Sequence, residues 1–222
     1  MTIESKKPTK HLKGKNRMPF KRCLSRLLVA SFVCVAAGTP AFAAALHSGK
    51  YEGLMLAVTP EHQVEGFYAE AMGEGVTRTC TFFLQGKVEG AKASVSTWLD
   101  AAYPGTVAAS SDGVTLTVEK GREHPGCISV LMPEIATGLD LTQTASKQWI
   151  GLVTVTADKA YLLKKPGAEA AKRAYIVKDD VVGVLAFKDG WAEVEFTNAK
   201  DHTYTGWISQ NQYARLAAPQ AD

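Results

Sequence analysis

Apolar residues in this 222-residue chain come in short runs, each cut off by a turn-forming residue. The last third shows this most clearly. Ala160-Tyr161-Leu162-Leu163 is followed by Lys164-Lys165-Pro166-Gly167. Then come Ala174-Tyr175-Ile176-Val177, Val181 to Phe187, Asp189-Gly190-Trp191, Val194-Glu195-Phe196 and Gly206-Trp207-Ile208. Five short strands joined by tight turns within about sixty residues describe a small β-barrel rather than an enzyme core. Ala168 to Ala174 has the composition of a brief helical turn, although seven residues are marginal for a helix on their own.

Residues 46–146 read as an all-β unit preceding it. Tyr51 to Val58 forms a first strand, ended by Thr59-Pro60, and Val64 to Met72 a second. Gly73-Glu74-Gly75 is a turn. Thr79 to Leu84 is a third strand, ended by Gln85-Gly86, and Ala93 to Leu99 a fourth. Tyr103-Pro104-Gly105 turns the chain. Thr106 to Ala109 and Val114 to Glu119 flank Ser110-Ser111-Asp112-Gly113, where Asp-Gly is a strong hairpin signal. Cys127 leads into a last strand, Ile128 to Met132. Pro133 to Lys147 is polar and turn-rich and reads as a loop or short helix. About seven strands at this spacing predict an antiparallel β-barrel or sandwich. Trp149 opens the second unit, at a position that packs at the junction. Residues 217–222 form a flexible tail.

Charge and cysteines bound the compartment. Residues 1–43 hold nine Lys/Arg and one acid, so the remainder keeps 16 basic against 21 acidic residues, a net of −5. A folded nucleic-acid binder would carry the opposite sign, so no nucleic-acid partner is expected. The basic segment reads as a secretory signal. Lys21-Arg22 and Arg26 close its charged region, Leu27 to Ala37 is apolar, and Ala41-Phe42-Ala43 is a small-x-small cleavage site. Cleavage after Ala43 would leave a periplasmic or extracellular protein that meets the membrane only through this transient signal. Translation from Met18 instead of Met1 would give a leader of conventional length. Cys23 and Cys34 leave with the signal, and Cys80 and Cys127 remain as one expected disulfide.

The second unit, residues 150–216, resembles the bacterial SH3 (SH3b) domain. The resemblance rests on Tyr161 with Lys165-Pro166, on Ala174-Tyr175-Ile176-Val177-Lys178, on Asp180-Val181, on Asp189-Gly190-Trp191 and on Gly206-Trp207-Ile208. Where the family often has glycine before an aspartate, this chain has Asp179, a residue that tolerates left-handed backbone better than most. Asn198 to Thr205 is longer and more polar than in short members of the family. The resemblance implies an SH3-like barrel that binds cell-wall peptides or a protein partner. The 46–146 unit resembles no family.

Ligand contacts in such a module are expected from aromatic residues at loops and turns: Trp191, Tyr161 and Tyr204. Each has a packing alternative, and Trp207 reads as core. No catalytic residues are assigned. The thiol of Cys127, next to His124, would have to be free to serve as a nucleophile. Glu193 and Glu195 fall on one strand face, read as solvated, with Val194 and Phe196 inside. Glu52, Glu65, Glu70 and Glu74 are read as exterior. His47, His62, His124 and His202 are scattered, and two cysteines without close spacing make no zinc tetrad, so neither metal nor cofactor is expected. The resulting expectation is a non-catalytic envelope binding protein, engaging peptidoglycan peptides or an envelope protein. The alternatives are an inhibitor or immunity-type protein that neutralises a wall hydrolase or toxin, and a wall-active enzyme targeted by the SH3b-like module.

Overall fold

The computed structural model describes residues 45–75, 77–168, 174–198 and 200–219. The expected leader, with Ala41 and Ala43, lies outside the described residues, as do most of the expected helical turn and the last three residues of the tail. Eight antiparallel strands follow one another around a closed barrel: β1 (Gly49–Tyr51), β2 (Leu54–Val58), β3 (Gln63–Met72), β4 (Arg78–Glu89), β5 (Lys92–Trp98), β6 (Ala102–Ala109), β7 (Gly113–Thr117) and β8 (Leu139–Ser146). Pairing of β1 with β8 closes the ring. Inward positions alternate along each strand and fill the interior, with Leu56, Val64, Phe82, Leu84, Val107 and Leu116 all buried.

Several boundaries differ from the sequence expectation. Tyr51 to Val58 is not one strand but a tight hairpin, β1–β2, turning at Glu52-Gly53. Strand β4 does not stop at Gln85-Gly86. A Cβ at Gly86 would meet the Ser94 carbonyl at 1.9 Å, so this glycine permits close approach of two strands rather than a chain end. Tyr103-Pro104-Gly105 lies within β6 instead of forming a turn. Proline is tolerated there because β6 pairs with β5 throughout but with β7 only from Thr106 onward. The expected strand at Ile128 to Met132 is absent: Val130 and Leu131 are both buried while Ile128 is 64% exposed. The segment instead makes 3₁₀ turns at Gly121–Glu123, Cys127–Ser129 and Pro133–Ala136. These carry Val118, Cys127, Val130, Leu131 and Ile135 into one end of the barrel as a plug. Leu139 to Ser146, expected as loop or helix, is the closing strand; its period of two was masked by the polar residues of its outer face.

The Cys80–Cys127 disulfide is formed. It ties β4 to the plug, not to a final strand.

The remaining strands are β9 (Gly151–Val155), β10 (Lys159–Tyr161), β11 (Tyr175–Val177), β12 (Val181–Lys188), β13 (Trp191–Thr197), β14 (Thr203–Ser209) and β15 (Tyr213–Arg215). Five form a sheet in the order β14-β13-β12-β9-β15, and β10 pairs with β11 as a separate ribbon. Val153, Val155, Val182, Val184, Val194, Ile176 and Ile208 make the core between them. Asp179 takes a positive φ of 70°, as its place before Asp180 anticipated.

Strand β9 packs on β2 and β3 of the barrel. Ala57, Trp98, Trp149, Leu152 and Leu216 are buried between the two sheets, and Trp149 occupies the junction as expected. Glu65, expected to be exterior, is only 2% exposed. Its position on the outward face of β3 is covered by the second sheet. Its Oε2 accepts the Leu152 N–H at 2.7 Å, and Oε1 lies 3.6 Å from the Arg215 guanidinium.

Candidate functional site: an aromatic sheet face

The turn before Trp191 is dictated by Asp189-Gly190, whose φ values of 48° and 80° are the two positive angles a two-residue hairpin needs. From there the register places side chains on two faces. Trp191 faces Ser209, Glu193 faces Trp207 and Glu195 faces Thr205 across β13–β14. On the other side, β12 sets Lys188 against Trp191, Ala186 against Glu193 and Gly183 against Glu195. Alternate residues share a face, so Trp191, Glu193 and Trp207 stand together, while Ala192, Val194 and Ile208 point into the core. Trp191 and Trp207 are both half-buried. Trp207 is therefore not core, as its place between Gly206 and Ile208 had suggested; it shares the open face with Trp191.

The same face is closed at one end. Glu195 pairs with the Lys147 ammonium, and that ammonium lies 5.8 Å from the Trp149 ring centroid. Trp149 seals against Gly183, where a Cβ would stand 2.2 Å from the indole. Beyond this sealed end, Glu193 belongs to neither of the two ion pairs found among the described residues, Lys147–Glu195 and Arg215–Glu65. Two flat indoles beside a free carboxylate can stack on a ligand and hold a positive charge.

The other two expected contact residues lie elsewhere. Tyr204 is exposed but pairs with Phe196, on the sheet face opposite Trp191. Tyr161 sits on the β10–β11 ribbon, edge-on to Tyr175 at 5.7 Å, with the Lys159 ammonium 5.0 Å from the Tyr175 ring. The three aromatics thus occupy separate places. Trp207 and Glu193, the neighbours that Trp191 does have, follow from hairpin register, which the strand sequences contain but do not announce.

A second feature lies at the plugged mouth of the barrel. A cleft of about 370 Å³ runs between the β1–β2 turn, β3 and Met132 of the plug. Glu52, Glu70 and Asp140 line it. The buried Tyr68 hydroxyl donates to Glu70 at 2.6 Å. Burial, and then the nearby Glu70 carboxylate, push the Tyr68 pKa up. Ile128 and Met132 stand exposed on the plug.

His124 is buried behind this plug. It stacks on Phe82 at 4.7 Å and meets Tyr103 edge-on at 4.9 Å. Its Nε2 is 2.9 Å from the Thr97 hydroxyl, and burial lowers its pKa. With Cys127 held in the disulfide, its thiol is not available to pair with this imidazole. No group of three or more His, Cys, Asp or Glu converges as a metal site among the described residues. Comparison with known families, characterised proteins and solved structures found no match to this chain.

Proposed function

We propose that the chain is an exported, non-catalytic binding protein of the bacterial envelope. Its SH3b-like C-terminal module engages cell-wall peptides through the face that carries Trp191. The observation that carries this reading is the pairing of two half-buried indoles, Trp191 and Trp207, on one open face beside Glu193, which has no ion-pair partner among the described residues. A barrel interior filled with side chains leaves surface recognition as the mode this architecture serves. The basic leader and the formed disulfide support an oxidising compartment outside the cytoplasm. Retention on purified peptidoglycan tests the reading: wild type binds and Trp191→Ala does not. No retention of wild type, or equal retention of the variant, overturns it.

A second reading is favoured by the barrel mouth. The exposed Ile128 and Met132 of the disulfide-anchored plug, with Met132 lining the acidic cleft, form a surface suited to a protein partner. On that reading the barrel inhibits or neutralises a wall hydrolase or toxin. A stoichiometric protein co-purifying from envelope extract supports it, and recovery of glycan alone counts against it. Zymography on wall material addresses the enzymatic alternative, which requires a clearing band.

A further inference from the structure

We infer that the Trp191–Glu193–Trp207 face recognises a primary ammonium group carried on a cell-wall peptide. The inference rests on the binding role proposed above and names the chemistry of its ligand. Three observations converge on a cation. Glu193 lies directly across from Trp207 and two residues along the strand from Trp191, so both indoles flank the carboxylate. Its strand neighbour Glu195 is neutralised by Lys147, whereas Glu193 has no such partner among the described residues. On the remaining side the register places Ala186, whose methyl leaves a step beside the carboxylate.

A lysine-type amine fits this arrangement. Its apolar stem lies along an indole and its ammonium reaches the carboxylate, gaining cation–π attraction from the ring. An anionic or purely apolar ligand would leave Glu193 unpaired or desolvated without compensation. Lys188, opposite Trp191 on this face, forms no ion pair with Glu193, and Lys147 is taken up by Glu195.

The test uses the purified mature protein and two preparations of peptidoglycan, one native and one with its free amines acetylated. An exposed ion pair with cation–π support predicts about a tenfold loss of retention on the acetylated material. Glu193→Gln should lose a similar factor on native material and no longer distinguish the two. Ala186→Leu, which fills the step and leaves every charge in place, should also weaken retention. Equal retention of native and acetylated material by wild type, with binding still lost in Trp191→Ala, overturns the ammonium inference while the wall-binding role stands. Retention of neither material overturns the wall role and this source of the amine together. Titration with Nα-acetyl-lysinamide, read by the indole N–H resonances, then decides the face itself. Shifts at Trp191 and Trp207 that vanish in Glu193→Gln, and are absent with the norleucine analogue, uphold ammonium recognition. No shift overturns it.

Discussion

Replacing Glu65 by alanine should unlatch the barrel from the second sheet. The carboxylate is 2% exposed. It accepts the Leu152 N–H at 2.7 Å and lies 3.6 Å from Arg215. Alanine removes the acceptor of that buried amide, and an orphaned buried donor costs about 1–3 kcal/mol. The charge contributes less. The Arg215 side chain is 51% exposed, so solvent screens the pair and its share is about 0–1 kcal/mol. Relief from burying a carboxylate offsets part of the loss, leaving a net destabilisation of about 2 kcal/mol. For a protein of this size that corresponds to a fall in Tm of about 4–8 °C. Glu65→Gln keeps an acceptor oxygen and nearly the same shape, so it should cost about 1 kcal/mol or less. Thermal and urea unfolding, followed by circular dichroism, measure both variants. A cost for alanine under about 0.5 kcal/mol, the range of an ordinary surface substitution, or a cost for glutamine equal to that for alanine, refutes this role for Glu65. Two separated transitions with the barrel midpoint unmoved would show that this interface does not couple the sheets.

His124 should make the barrel acid-sensitive. Its folded pKa lies below the unfolded value because burial disfavours the imidazolium. The unfolded chain therefore binds the proton first, and stability that is full above the unfolded pKa of about 6.5 declines as pH falls below it. Urea midpoints at pH 7.5 and 5 should show that decline, and His124→Phe, which can keep the stacking on Phe82, should reduce it. Breaking the disulfide with Cys80→Ser and Cys127→Ser together should cost about 4 kcal/mol in the chain-entropy model, given its sequence separation of 47. A loss below about 1 kcal/mol in the urea midpoint would mean that the plug is held by its apolar residues alone. Gly183→Ala should push Trp149 from its seat, because the new methyl would stand 2.2 Å from the indole. Overpacking of this kind costs about 1–3 kcal/mol, and a red shift in tryptophan emission would report the movement.

Much of the strand content was legible in the chain. Ser110-Ser111-Asp112-Gly113 and Asp189-Gly190 each announced a hairpin, and each forms one. The Cys80–Cys127 disulfide was expected from the two cysteines outside the expected leader, and it forms. Asp179 was expected to tolerate left-handed backbone and does so. These are local properties: a turn's φ angles depend on the residues in it, and strand alternation reads a period of two from neighbours. The failures share a different character. Pro104 and Gly86 looked like chain breaks, yet they sit inside strands because of what lies across from them. Leu139 to Ser146 looked like a loop, yet it closes the barrel.

The candidate site divides along the same line. Trp191 stood out by following a hairpin Asp-Gly, a signal carried wholly within the chain. That Trp207 and Glu193 share its face, and that Tyr204 does not, was decided by the β13–β14 register. Glu65 makes the point most sharply. Every local cue placed that carboxylate in solvent, and only the packing of a strand about ninety residues downstream buried it. Local chemistry determined the Asp-Gly hairpins and the left-handed backbone at Asp179. Tertiary structure decided which faces are covered, because burial depends on distant segments whose arrival no short stretch of residues encodes.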